Sequence, residues 1–230
     1  MSASAAIPKN AAPTPLRGRR PILVTGGAGF IGSNLADRLA GDGLDVIVLD
    51  SLARPGVRAN LDWLKSRHSR RVSAIIGDVR DPAAVDEATR NCGAVFHFAA
   101  QVAVTTSFAD PLTDFDVNIK GTLLLLEALR RKTRPPPLIF ASTNKVYGGL
   151  SDLPVRRIGM TYVPDDPHIR KHGLGESRPL EFCTPYGCSK GAADQYVLDY
   201  ARNLGVPTVV MRMSCIYGPR QMGTEDQGWV

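Results

Sequence analysis

The sequence predicts an α/β protein built on a doubly wound parallel sheet, and three features carry that expectation. Short continuous apolar runs of strand length recur along the chain, helix-length stretches separate them, and the first run ends in a cluster of glycines. Strands covered by helices on both faces read as unbroken apolar runs rather than as an alternation, which is the pattern of a parallel sheet. A chain of 230 residues is long enough to bury a sizeable core.

The first strand is expected at Ile22-Leu23-Val24, too short for a helix and closed by glycine. A helix over residues 30–40 follows, stopped by Gly41-Asp42-Gly43. Val46-Ile47-Val48-Leu49 is the second strand and ends at Asp50. Further strands are expected at 72–76, 94–98, 138–140 and 208–213. The intervening helices open at Asp81-Pro82, run over 114–131, and run over 186–204 until Gly205 and Pro207 stop them. Residues 151–184 break the rhythm with Pro154, Pro164, Pro167 and Pro179, and are expected to form a flap inserted over the site. Residues 1–20, with Pro8, Pro13 and Pro15, read as a disordered leader, its Arg cluster as a targeting element being the alternative. Residues 21–230 then form one domain.

Composition narrows the partners. With 43% hydrophobic and 22% charged residues the chain is of ordinary globular type, and no run of 18 apolar residues suggests a membrane span. Lys9, Arg17, Arg19 and Arg20 lie in the leader with no acid beside them, so most of the net charge of +6 belongs there. The body carries no basic stripe that would point to nucleic acid. Cys92, Cys183, Cys188 and Cys215 lack metal-site spacing, and free thiols in a reducing cytoplasm are expected.

Gly26, Gly29 and Gly32 stand between the first strand and the first helix. Such a turn brings backbone N–H groups close to a pyrophosphate, at the positive end of the helix. Asp50, at the end of the second strand, could accept hydrogen bonds from an adenosine ribose diol and would repel a 2′-phosphate. That pattern favours NAD over NADP, although Arg54 stands nearby. Tyr186 and Lys190 are four residues apart and share one helix face, and Ser142-Thr143 follow the fifth apolar run. A hydroxyl, a phenol and an ammonium would thus meet at the carboxyl ends of the strands. A phenol ionises near pH 10, and lowering that by ~3 units takes about 4 kcal/mol of differential interaction. Lys190 and a cationic nicotinamide ring would supply it, making Tyr186 a base for a substrate hydroxyl.

TGGAGFIG (25–32), Asp50, the Tyr186-x-x-x-Lys190 pair and Tyr217-Gly218-Pro219-Arg220 together resemble the extended short-chain dehydrogenase/reductases, the nucleotide-sugar epimerases and dehydratases. The resemblance spans about 21–230 and implies a Rossmann-type fold in which much of the C-terminal substrate portion is missing. It implies that Gly26, Gly29, Phe30, Ile31, Gly32 and Asp50 hold NAD, with Asp78 and Val79 beside the adenine. It further implies cofactor contacts for Ala99, Ala100, Gln101, Asn118, Ser142, Tyr186 and Lys190. Thr143, Tyr186 and Lys190 would be the catalytic set, and Thr143, Asn144, Tyr186 and Arg220 would face the sugar nucleotide.

Three longer strings, 142–148, 184–202 and 217–230, are similar to the CDP-paratose 2-epimerase group within that family. This implies NAD-dependent inversion at C2 of a CDP-3,6-dideoxyhexose through a 2-keto sugar, with other nucleotide-sugar 4-epimerases or dehydratases as alternatives. A non-catalytic NAD-binding remnant is the reading from a different class. Where related sugar dehydratases have Asp-Glu after the site threonine, this chain has Asn144-Lys145; Asn cannot protonate a leaving hydroxyl, and an ammonium cannot act as the carboxylate base. Cys215 stands where many relatives have Asn. The expected partner is a nucleotide-sugar, with no nucleic acid and no membrane; a second copy of the chain remains open.

Overall fold

The computed structural model describes residues 20–223, so the expected leader (1–19) and the last seven residues lie outside the described part. In chain order the strands are β1 (Ile22–Thr25), β2 (Val46–Asp50), β3 (Val72–Ile76), β4 (Ala94–His97), β5 (Leu138–Thr143), β6 (Val155–Ile158), β7 (Thr161–Pro164) and β8 (Thr208–Met213). The helices are α1 (Phe30–Gly41), α2 (Val57–Arg67), α3 (Pro82–Thr89), α4 (Val104–Ala109), α5 (Pro111–Phe115), α6 (Gly121–Arg130), α7 (Pro167–His172) and α8 (Thr184–Asn203). Six strands, all parallel, make one sheet in the order β3-β2-β1-β4-β5-β8. The order reverses between β1 and β4, and a crevice at such a switch point is where doubly wound sheets bind ligands.

Burial explains the unbroken apolar runs. Adjacent residues on a strand face opposite ways, yet Leu23 and Val24 are both fully buried. Leu23 joins Leu125, Leu129, Phe140 and Val197 on one side of the sheet, and Val24 joins Ala36, Val48, Leu61 and Leu64 on the other. β8 is an edge strand among the described residues, with Val209 and Met211 about half exposed.

Asp-Pro dipeptides start three helices. Asp81, Asp110 and Asp166 accept backbone N–H groups of the first turns of α3, α5 and α7, while Pro occupies the first helical position, where no N–H is needed. Two expected boundaries differ. The helix expected over 114–131 is α5 and α6 joined by a π-helical turn, Asp116–Lys120. The fifth strand runs on past Phe140, because β8 pairs with it as far as Thr143↔Met213. Ser142 and Thr143 are therefore the last two residues of β5 rather than a loop after it. The segment 151–184 carries the antiparallel β6–β7 hairpin and α7, and Arg178 pairs with Asp152 across it.

Candidate active site at the carboxyl ends of the strands

The glycine turn leaves no room for side chains. Gly26 has φ +67°, and a Cβ there would lie 2.6 Å from the Ala99 nitrogen. A Cβ on Gly32 would lie 2.2 Å from the Gly26 carbonyl oxygen, so α1 rests directly on the turn. Gly29 donates to that same carbonyl at 3.0 Å and precedes α1, whose first residues, Phe30, Ile31 and Gly32, have no side-chain cap and no acid beside them. Asp50 Oδ2 accepts from the Ala28 N–H and Oδ1 from the Leu52 N–H, both at 2.9 Å. The carboxylate is thereby fastened to the turn, with lone pairs left over for other donors.

On the neighbouring strand β4, His97 is fully buried and its orientation follows from its partners. Thr122 Oγ1 donates to the Asn118 carbonyl at 2.6 Å and so accepts from His97 Nε2 at 3.0 Å. His97 Nδ1 then accepts from Thr25 Oγ1 at 2.6 Å. Burial holds this imidazole neutral, pushing it down to about 3. Ala99 donates to Thr25 Oγ1 at 3.2 Å, and Ala99, Ala100 and Gln101 run half-buried from the end of the strand. Asn118, in the π-helical turn, accepts the Gln101 N–H at 2.9 Å and donates to the Gln101 carbonyl, to Asp114 and to Ser189. A wider turn at that point aims one amide at both the β4 loop and α8. Asp78 pairs with Arg80 at 2.7 Å, which holds its carboxyl below the usual range, and Val79 is buried against Gly121 at the start of α6.

Tyr186, Lys190 and Asp194 succeed one another at four-residue intervals on α8, and all three are buried. Ser107 Oγ accepts the Tyr186 N–H at 3.1 Å, fixing the first turn of the helix. The structure brings Thr143 to Tyr186, whose phenol it pulls down. Burial pushes Tyr186 up, Thr143 works against that rise, and Asp114 adds to it. The Lys190 ammonium lies 4.2 Å from the centre of the Phe140 ring, and burial pushes it down to about 7 against the pull of Asp194 and Asp114.

The sequence reading missed a network around Asp194. Ser142 Oγ donates to Asp194 at 2.7 Å, and Arg212, from β8, donates to it from Nε and Nη2 at 2.9 Å each. Arg212 Nη1 also donates to the Tyr147 hydroxyl at 2.8 Å. The signal was present in the spacing, since Asp194 is one more step of four beyond Lys190. Asn144 and Lys145 are exposed at the end of β5, where Asn144 approaches Ser214 at 3.5 Å. Arg220 lies elsewhere. Its guanidinium stacks on Trp63 of α2 and donates to Asn34 of α1, on the glycine-turn side of the sheet. Among the described residues no group of three or more His, Cys, Asp or Glu could hold a metal ion, and no helix is long and apolar enough to cross a membrane.

The model of the NAD dependent epimerase/dehydratase family matches residues 22–229, the glycine turn and the Tyr186–Lys190 helix included. The chain belongs to that family. Within the epimerase/dehydratase family it is 46% identical over 211 residues to the CDP-paratose 2-epimerase of Salmonella typhi, covering 91% of this chain and 61% of that protein. The crystal structure of a Thermus thermophilus UDP-glucose 4-epimerase in complex with NAD is similar at a TM-score of 0.70 and 36% identity, covering 88% of this chain and 57% of that one. A Streptomyces venezuelae dTDP-glucose 4,6-dehydratase with NAD and TYD bound is similar at a TM-score of 0.72 and 32% identity, covering 87% and 57%. The chain thus spans about three fifths of the length of these relatives.

Proposed function

We propose that the chain acts as an NAD-dependent nucleotide-sugar epimerase whose substrate is a CDP-3,6-dideoxyhexose inverted at C2. The observation that carries this reading is the 46% identity to a CDP-paratose 2-epimerase over 91% of the chain. Asn144 and Lys145 agree with it, since neither offers the carboxylic acid and carboxylate that water elimination needs. The four cysteines free of disulfides fit a cytoplasmic setting.

The residues present fit the cofactor. A Cβ on Gly26 or Gly32 would fill the cradle, the first turn of α1 offers uncapped N–H groups to a diphosphate, and Asp50 is an acceptor-only group held at the turn. NAD, when bound, supplies a hydride acceptor and donor for the sugar carbon. Tyr186 Oη takes the proton of the substrate hydroxyl and gives it back, with Thr143 Oγ1 hydrogen-bonded to it. Thr143 favours the charged phenol, and burial opposes it. Lys190, held between Phe140, Asp114 and Asp194, adds positive charge on the same helix face when protonated. Asn118 holds the Gln101 backbone and Ser189 in fixed relation, so the β4 loop and α8 keep one geometry.

The test has two stages. Mass spectrometry and absorbance of the purified chain are expected to find bound NAD, and incubation with CDP-paratose is expected to yield its C2 epimer. Cofactor without turnover would replace this reading with that of a non-catalytic NAD-binding protein, and a 4-keto-6-deoxy product would replace it with that of a dehydratase.

A further inference from the structure

Past β8 the chain doubles back over the glycine turn, and the contacts made there serve neither the sheet nor the Thr143–Tyr186–Lys190 group. Asn34 donates to the Pro219 carbonyl at 2.9 Å, and its Oδ1 accepts from Arg220 Nη2 at 2.8 Å. The Asn60 amide donates both to the Arg220 carbonyl at 3.2 Å and to the Ala28 carbonyl, inside the turn, at 3.0 Å. The Arg220 guanidinium lies 3.7 Å from the centre of the Trp63 ring, a close cation–π stack. A Cβ on Gly218 would come within 3.3 Å of the Phe30 ring at the start of α1, and one on Gly56 within 2.9 Å of the Met222 sulfur. Arg220 does this at φ +66°, a left-handed conformation that a non-glycine residue keeps only where its surroundings hold it.

We propose that residues 218–222 form a strap that closes the glycine turn over its dinucleotide, with Arg220 and Trp63 as the positioning residues that latch it. This rests on the NAD reading above. The strap is tied at Phe30 and, through Asn60, at Ala28, so a dinucleotide on the turn leaves only after these ties open. Such a device suits an epimerase, whose cofactor returns to its oxidised form in every turnover and gains nothing from exchange. Two elements remote in sequence, α2 and the chain beyond β8, are brought together for it.

The experiment follows release of radiolabelled NAD from the loaded chain into excess unlabelled NAD. Arg220→Gly deletes the guanidinium and suits the left-handed backbone. Trp63→Leu removes the platform from the other element, and Trp63→Phe keeps an aromatic face. Release about tenfold faster (~1.4 kcal/mol) is expected for Arg220→Gly and Trp63→Leu, with Trp63→Phe much closer to wild type. A purely structural role would lower the melting temperature and leave release from the folded protein unchanged. Unchanged release in Arg220→Gly, from a wild type that retains NAD, overturns the strap alone. A wild-type chain that retains no NAD overturns the cofactor reading and the strap together.

Discussion

Arg212 on β8 presents its guanidinium to the Asp194 carboxylate on α8 in two hydrogen bonds of 2.9 Å each, and Asp194 is fully buried. The same carboxylate receives Ser142 and acts on Lys190, so one ion pair joins β8 to α8. Asp194→Asn leaves the Arg212 charge without its partner. It is expected to cost about 3–5 kcal/mol, the usual effect of breaking a buried pair from one side. It also removes one of the two carboxylates that hold Lys190 up, so Lys190 should titrate still lower than about 7. Denaturant unfolding checks the first effect; a loss under about 1 kcal/mol would place the pair with surface ion pairs.

Burial of His97 is expected to make the fold acid-sensitive. Its folded value is about 3, because burial disfavours the imidazolium. The unfolded chain takes up this proton near the ordinary 6.5 and the folded chain does not. Stability is therefore lost as pH falls from 6.5 towards 3, by up to ~1.4 kcal/mol per pH unit for this one group. Glu127, lowered to about 2, adds its own loss only below its usual range near 4.5. Denaturant midpoints are measured between those ranges, where Asp114, raised by burial, works in the opposite sense to His97. A His97→Gln variant should flatten the slope there, and an equal slope in both proteins would assign the acid sensitivity to other groups.

Gly32→Ala puts a methyl group 2.2 Å from the Gly26 carbonyl oxygen, which is backbone and cannot swing aside. Either α1 lifts from the turn or the turn deforms. A loss of about 1–3 kcal/mol or more is expected, as for overpacked cores, together with loss of NAD retention. Near-native stability with retained NAD would show that the helix can move away from β1 without consequence.

The sheet was legible because burial on both faces forces continuous apolar runs, as Leu23 and Val24 show. The glycine turn was legible because its close approaches tolerate no Cβ. Less visible was α2, although Val57, Leu61 and Leu64 follow helical spacing, because its polar face dilutes the pattern. The π-helical turn could not be foreseen, since Asp116–Lys120 continues the helical pattern and only the bonds of Asn118 reveal its use. Long-range polar partners were hidden for a similar reason. Arg212 meets Asp194 only through the β5–β8 register, and Arg220 meets Trp63 only after the chain has doubled back.

Thr143 pulls the Tyr186 phenol down against the larger effect of burial, and under the proposed epimerase function that predicts a measurable pH signature. In the folded protein burial and Asp114 hold the Tyr186 proton on, and the Thr143 hydrogen bond is what favours its release. A base that must be ionised to accept the substrate proton gives a rate that rises with pH until the phenol has titrated. Thr143→Val keeps the shape of the side chain and removes that hydrogen bond, so Tyr186 moves further up and the rising limb of kcat/KM moves to higher pH. At neutral pH turnover of the CDP-sugar should fall by one to two orders of magnitude, about 1.5–3 kcal/mol for a lost hydrogen bond to a charged group, and recover part of the loss in alkali. Thr143→Ser retains the hydroxyl and should keep the wild-type limb. Tyr186→Phe, lacking the ionisable oxygen, should lose turnover by at least ~10²-fold at every pH while retaining NAD. If Thr143→Val lowers the rate equally at all pH values, its hydroxyl positions the sugar and does not tune the phenol.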